Sequence, residues 1–180
     1  MKSRALSMMK GNVYIIMFVV FLFFLSLSEG GAECNKRAFL FKIERSKNKN
    51  IVRYDACLLQ SGNISGSTPV IAYWILEKGG KEELSGLEEK HAYGVESKEK
   101  LAENRFRISI KAFKDREIIV QKLKAGYKAL VRIGGDLSIL EKVYVKSEDK
   151  TLGFPEVHYI ELFGRSLRTN KPVKERITPS

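Results

Sequence analysis

Cysteine and histidine are scarce in this sequence, and their scarcity limits the chemistry that the protein can perform. The chain holds two Cys and two His among its 180 residues. Two Cys are too few for a disulfide-rich scaffold or for a zinc site with four thiolate ligands. His91 and His158 leave little material for metal binding or proton transfer, and no motif indicates a reaction. We therefore predict no catalytic residues, no metal site and no cofactor; the sequence favours a non-enzyme and leaves enzymatic activity open.

The N-terminus predicts export. Three basic residues precede an uncharged run over residues 13–27, which is long enough for a signal-peptide core and shorter than the ~20 residues of a membrane span. The small residues 30–32 follow it, so we predict that 1–32 form a signal peptide. An uncleaved N-terminal anchor and a lipid on Cys34 are the alternatives, although the acidic Glu33 argues against the lipid. Each alternative exports the body of the protein, to the periplasm, the cell surface or the medium.

Basic residues outnumber acidic ones. The chain has 32 Lys and Arg against 21 Asp and Glu, which gives a formal charge of +11. In a cytosolic protein this charge would indicate nucleic acid. For an exported protein we expect no nucleic acid but an envelope ligand or protein, with anionic lipid or glycan as candidates. We expect membrane contact only if the N-terminus is retained or lipidated. Solubility alone also explains charges that are spread along the chain.

Apolar runs recur every ten to twelve residues between turn residues, which is typical of an antiparallel sandwich or barrel. We predict a mostly β domain over 38–164, built as a single antiparallel β-sandwich or barrel of about eight strands. A linker at 33–37 precedes it, one short helix spans 82–91, and 165–180 form a basic tail packed on or near the domain. The predicted strands are 38–44, 51–58, 70–76, 105–113, 117–123, 127–133, 137–146 and 157–163.

Export makes a disulfide between Cys34 and Cys57 chemically permissible. A hairpin that turns about Asn48 would place Cys57 opposite Phe39, five residues from Cys34. The intervening residues would then have to fold back to bring the two Cα atoms within ~7 Å. The sequence leaves this bond open.

Aromatic and polar residues in the first half of the chain predict a binding site. Tyr73 and Trp74 are adjacent and project to opposite faces of a strand, so one can line a pocket while the other fills the core. The connection 45–50 (RSKNKN) offers Arg, Lys and Asn donors for anion capture. A plain turn and an aromatic core are the alternatives. The candidate ligand-binding residues are Arg45, Asn48, Asn50, Tyr54, Tyr73, Trp74 and Tyr93.

Several ordered segments carry a family resemblance: FKIERSKNKNIVRYD, then PVIAYWI, then AYG ending at Gly94, then EVHYIELFGRSLRTNKPVKERI. Together they resemble domain of unknown function 4833, which is found in exported bacterial proteins and some eukaryotic microbes. The resemblance spans about Phe39 to Ile177, with Asn170 where a Gly is expected. It implies a shared fold and an exported context, and it implies no activity or cofactor. In the tail it points to Lys171, Glu175 and Arg176 as interaction residues.

These observations support three functions. The first is a non-catalytic binding domain of the cell envelope that holds a polar or anionic ligand near the connection 45–50. The second is a protein–protein interaction or assembly factor that uses an exposed sheet edge and the basic tail. The third is a hydrolase with an unrecognised carboxylate site.

Overall fold

The computed structural model describes residues 34–148 and 155–178, with the backbone alone at Ser97 and Lys98. The predicted signal peptide lies outside these residues. The described chain is mostly β with one short helix, as predicted, but it has eleven strands where about eight were expected. The strands are β1 (Lys36–Arg45), β2 (Ile51–Leu58), β3 (Val70–Ile75), β4 (Lys81–Glu83), β5 (Val95–Ala102), β6 (Arg105–Ile110), β7 (Phe113–Leu123), β8 (Gly126–Ile133), β9 (Asp136–Glu148), β10 (Glu156–Ser166) and β11 (Pro172–Ile177), and the helix is α1 (Gly86–His91).

Three strands were missing from the prediction: β4, β5 and β11. Each lies at a margin of the sheet, where one partner strand suffices and polar side chains are common. β5 reads VESKEKLA and β4 reads KEE, so neither carries the apolar alternation that identifies a half-buried strand. β11 pairs with β10 from Ile160↔Ile177 to Arg165↔Pro172. The segment 165–180 therefore contains the last strand of the sheet.

The strands form one sheet in the order β4-β3-β2-β1-β9-β8-β7-β6-β5, with β10 beside β9 and β11 beside β10. The long strand β9 is its junction. One edge of β9 pairs first with β8, up to Ile139↔Leu130, and then with β1, from Lys142↔Lys42. The β1–β9 pairing is parallel, so the sheet is not purely antiparallel as expected. The sheet curls into a half-barrel of nine strands rather than the predicted sandwich or barrel.

The core lies on the inner side of this curl. The inner sides of β1–β3 and of β6–β9 contribute to one apolar cluster. The ring of Phe41 stacks on Tyr54 with centroids 4.4 Å apart. In β6, which lies within the predicted strand 105–113, the alternate residues Phe106, Ile108 and Ile110 are all buried. Alternate side chains of a strand therefore point to a packed inner side and to an outer side that carries most of the exposed residues, although Asp55 and Tyr73 are buried there as well.

The β1–β2 hairpin differs in register from the expected one. A bulge at Leu40 shifts the pairing from Phe41↔Tyr54 to Phe39↔Asp55, because two residues of β1 oppose one of β2 there. Cys57 lies opposite Arg37 and not opposite Phe39: the pairing of Phe41 with Tyr54 already differs by one residue from the expected register, and the bulge adds a second. Cys34 and Cys57 form a disulfide with their Cα atoms 5.1 Å apart. The bond ties the start of β1 to the end of β2.

Helix α1 is shorter than the predicted 82–91, because β4 occupies the first residues of that range. Ser85 caps the helix and forms a capping box with Glu88, which satisfies N–H groups of the first turn. The helix buries no residue, and its Leu87 is 68% exposed. Among the described residues, no helix is sufficiently long and apolar to span a bilayer.

Candidate functional site

Arg45 is the last residue of β1, and its side chain lies at the end of the core. Phe41 and Ile43 point to the inner side of β1, so the alternation of the strand directs Arg45 to the same side. Its guanidinium carbon is 4.4 Å from the ring centroid of Trp74. A cation at this distance from an indole face is attracted by the ring quadrupole. Arg45 and Trp74 therefore form one packed unit.

Two hydrogen bonds fix the Arg45 guanidinium in place. Nη1 donates to the hydroxyl of Tyr93 over 3.4 Å, and Nη2 donates to Oδ1 of Asn48 over 3.3 Å. The Nε atom is buried and has no hydrogen-bond partner among the described residues. The guanidinium is therefore held by its terminal nitrogens, while its Nε is covered by the surrounding protein.

Glu88 of α1 holds the other edge of Trp74. Trp74 Nε1 donates to Oε2 of Glu88 over 3.3 Å, and the backbone N–H and hydroxyl of Ser85 donate to the same oxygen. Burial alone raises the pKa of Glu88, but these hydrogen bonds and the charge of Arg45 lower the pKa below its ordinary value. A fixed carboxylate thus accompanies the fixed guanidinium.

These residues surround a small cavity, which we call the Arg45 cavity. It has a volume of about 220 Å³ and is lined by Arg45, Asn50, Trp74, Leu76, Glu82 and Glu88. Its wall therefore offers a guanidinium donor on one side and two carboxylate acceptors on the other. Such an arrangement suits a small polar ligand that carries both an acidic group and donors of its own.

The two Asn side chains organise the mouth of the cavity. The backbone N–H of Asn50 donates to Oδ1 of Asn48 over 3.1 Å, while Oδ1 of Asn50 accepts from the backbone N–H of Glu77 over 2.9 Å. The first contact closes an Asx turn in the β1–β2 connection. The second ties this connection to the end of β3. Of the two Asn residues, Asn50 lines the cavity, and Asn48 positions Arg45.

Tyr54 and Tyr93 support the cavity from the core. Tyr54 is fully buried, and its hydroxyl donates to the backbone carbonyl of Tyr93 over 2.8 Å. Burial raises the pKa of Tyr54 well above its ordinary value. The Tyr93 ring meets Trp74 edge-on, with centroids 5.3 Å apart. Tyr54 thus holds the segment that presents Tyr93, and Tyr93 in turn packs against Trp74.

Tyr73 lies away from these residues, on the outer side of β3. Its hydroxyl donates to Oδ2 of Asp55 over 2.6 Å, and Arg53 Nε donates to the other oxygen over 2.8 Å. Asp55 is only 1% exposed. Burial and the carboxylate of Asp55 raise the pKa of Tyr73. Tyr73, Arg37 and Lys81 border a separate cavity of about 690 Å³ next to β3 and Val95.

The structure thus brings together Arg45, Asn48, Asn50, Trp74 and Tyr93 and separates Tyr54 and Tyr73 from the cavity wall. Sequence reasoning did not identify Glu82 and Glu88. A usable signal existed for Glu88, because Ser85-x-x-Glu88 is a capping-box pattern that marks a helix start. Nothing comparable marked Glu82, whose position depends on its pairing with Trp74 across β3 and β4.

The three predicted tail residues do not form one site. Arg176 projects to the outer side of β11 and donates to Oε1 of Glu161 over 2.7 Å. Glu175 projects to the opposite side, where it accepts from Arg116 and from the backbone N–H of Gly134. Lys171 is exposed and precedes β11. Within the described ranges no group of three or more His, Cys, Asp or Glu side chains is placed to hold a metal ion.

Fold and cavity together define a mostly β domain with a charged cavity that is lined by one aromatic residue, Trp74. Residues 41–176 match the family described as domain of unknown function (DUF4833). The chain belongs to this family, as its ordered segments predicted. No curated protein matches the chain, and no solved structure matches it.

Proposed function

We propose that this protein is a non-catalytic binding domain of the cell envelope, and that the Arg45 cavity holds its ligand. The observation that carries the proposal is the Arg45 guanidinium, which lines the cavity and is held in place by Trp74, Tyr93 and Asn48. A ligand oxygen in the cavity would accept a hydrogen bond from this guanidinium. The disulfide between Cys34 and Cys57 supports an envelope location, because such bonds persist in oxidising compartments.

The chemistry of the cavity specifies the ligand class. Arg45 is held by Trp74, Tyr93 and Asn48, so binding costs little side-chain entropy. A guanidinium recognises carboxylate and phosphate through parallel hydrogen bonds. Glu82 and Glu88 repel a multiply charged anion and accept hydrogen bonds from hydroxyl or ammonium groups. The ligand is therefore a small molecule with one anionic group and at least one donor, and its size is limited by the volume of about 220 Å³.

The test compares two single substitutions in protein exported by a host with an oxidising envelope. Arg45→Ala removes the guanidinium, whereas Lys49→Ala removes one exposed charge from the same connection, where Lys49 pairs with Glu77. Native mass spectra should show a retained small molecule on the wild type and on Lys49→Ala, and none on Arg45→Ala.

Thermal unfolding distinguishes binding from structure in the same samples. Arg45→Ala is expected to melt close to the wild type once the ligand has been removed from both. A lower melting temperature of Arg45→Ala combined with an unchanged retained mass would contradict the proposal and assign Arg45 to the stability of the hairpin.

A further inference from the structure

The outer side of the sheet carries a straight row of basic side chains. The register aligns Arg53 with Lys42, Lys42 with Lys142, Lys142 with Phe163, and Phe163 with Lys174. The row therefore crosses five neighbouring strands, β2, β1, β9, β10 and β11. With strands ~4.8 Å apart, it is about 19 Å long. We call the four basic residues of this row, together with Arg176, the basic row; Phe163 lies between Lys142 and Lys174.

Phe163 holds two of the ammonium groups in place. Lys142 Nζ is 4.6 Å and Lys174 Nζ is 5.1 Å from the centroid of its ring. Arg176 is held in the same way, with its guanidinium carbon 4.1 Å from the ring centroid of Tyr159. Aromatic rings on an outer sheet face thus serve as supports for cations. The cations are ordered, so a partner loses little side-chain entropy when it meets them.

Carboxylates are present beside the row but do not neutralise it. Glu44 pairs with Lys42 at 2.6 Å and with Lys142 at 3.0 Å. Glu161 pairs with Lys174 at 2.8 Å and with Arg176 at 2.7 Å. Arg53 pairs with Asp55 at 2.8 Å, so the five cations of the row share three carboxylates.

Exposure shows which charges face solvent. The side chains of Lys174 and Arg176 are 50% and 56% exposed, and that of Glu161 is 7% exposed. The carboxylate thus lies beneath the two cations and orients them, while their remaining donors face outward. The hydrogen bonds from Lys174 and Arg176 also lower the pKa of Glu161, so this support stays ionised at neutral pH.

We infer that the basic row binds a linear anionic glycan, which lies across β1, β9, β10 and β11. Charge complementarity carries this inference, because an extended row of surplus cations matches a polymer with repeated carboxylate or phosphate groups better than it matches a compact ligand. The surface lies on the opposite side of the sheet from the Arg45 cavity, so it is a second site that does not depend on the first.

Cations cover the rings of Phe163 and Tyr159, which favours a glycan over a bilayer surface or single-stranded nucleic acid. Binding to a bilayer surface combines attraction to anionic headgroups with apolar side chains that insert below them, but the Phe163 ring lies under two ammonium groups and cannot insert. Single-stranded nucleic acid stacks its bases on accessible aromatic faces, and here cations occupy the faces of Phe163 and Tyr159. What the surface offers to a partner is therefore a set of positive charges at fixed spacing.

The test measures binding of polygalacturonate, a linear polyuronate, by isothermal titration calorimetry at several salt concentrations. Lys142→Gln combined with Lys174→Gln removes the two charges over Phe163. Because each lost charge weakens the attraction to an anionic partner, the double variant should bind roughly tenfold to thirtyfold more weakly and show a shallower salt dependence. The matched control is Lys78→Gln combined with Lys124→Gln, which removes two exposed charges from other turns and should bind like the wild type.

A third variant excludes a folding defect as the explanation. Glu161→Gln removes the negative charge beneath Lys174 and Arg176 but keeps an amide oxygen that accepts their hydrogen bonds, so it should strengthen binding, which a damaged fold would not do. Equal weakening in the double variant and its control would overturn the inference in favour of non-specific attraction. It would also be overturned if polygalacturonate did not bind, or if vesicles of phosphatidylcholine and phosphatidylglycerol bound more tightly than the glycan did.

Discussion

Reduction of the disulfide between Cys34 and Cys57 should destabilise the domain without unfolding it. The two Cys are 23 residues apart in sequence, and the bond restricts the unfolded chain over that loop. The chain-entropy relation gives ~3 kcal/mol for a loop of this size. For a chain of this length, that loss should lower the melting temperature by roughly 6 to 12 °C. The domain should remain folded, because the apolar cluster that includes Phe41, Tyr54 and Trp74 does not require the bond.

The assay is urea unfolding followed by the fluorescence of Trp74, the single Trp of the chain. Trp74 is buried, so its emission reports loss of the core. Wild-type protein is compared with and without reductant, and Cys34→Ser serves as a control that leaves buried Cys57 in place. The variant should have the same urea midpoint as the reduced wild type, and reductant should not change that midpoint. Equal urea midpoints for the oxidised and reduced wild type would refute the reasoning.

Three further predictions concern stability and are each measured by urea unfolding. In Gly94→Ala the new Cβ would lie 1.8 Å from the carbonyl oxygen of Glu89, so we expect the free energy of unfolding to fall by ~1–3 kcal/mol. In Gly86→Ala the new Cβ meets open space, so we expect the free energy of unfolding to rise by up to about 1 kcal/mol. Equal effects of the two substitutions would contradict this contrast. Tyr54→Phe should lose ~0.5–1.5 kcal/mol with the hydrogen bond to Tyr93, and an unchanged midpoint would argue against that bond. The native state lowers the pKa of Glu88, Glu161 and Glu175 below the ordinary 4.5, so the unfolded state binds more protons as the solution is acidified. The free energy of unfolding should therefore be flat above this pH and fall below it, and a rise on acidification would count against these ion pairs.

Local patterns predicted much of the sheet. The predicted strands 127–133 and 137–146 left a short connection at Gly134 and Gly135, and a turn forms there because Gly readily adopts the backbone angles that it needs. Both Gly residues have positive φ, 57° and 86°. Structural features that depend only on residues close in sequence can therefore be predicted from the sequence.

Long-range pairing limited the prediction. The parallel contact between β1 and β9 joins residues about a hundred positions apart, and no local pattern encodes it. The polar strand β5 is a strand because β6 offers it a partner, although its own sequence does not alternate. The bulge at Leu40 likewise changed the position of Cys57, since a single extra residue shifts every later pair.

In the candidate site, too, local features were predicted and features that depend on long-range pairing were not. Adjacency placed Tyr73 and Trp74 on opposite sides of β3, and both lie where that rule puts them. Which side faces Arg45 depends on the curl of the whole sheet, so the sequence could not assign Trp74 to the cavity and Tyr73 to Asp55. Glu82 joined the wall through β4, a strand that the sequence did not reveal.

The central claim is that the Arg45 cavity retains a small anionic ligand in an exported protein. The most direct test is a pair of mass spectra, native and denatured, of the wild type exported from its full-length chain. The account predicts a denatured mass that lacks residues 1–32 and the two thiol hydrogens, and a native mass that is larger by one small molecule. Identical native and denatured masses would contradict it.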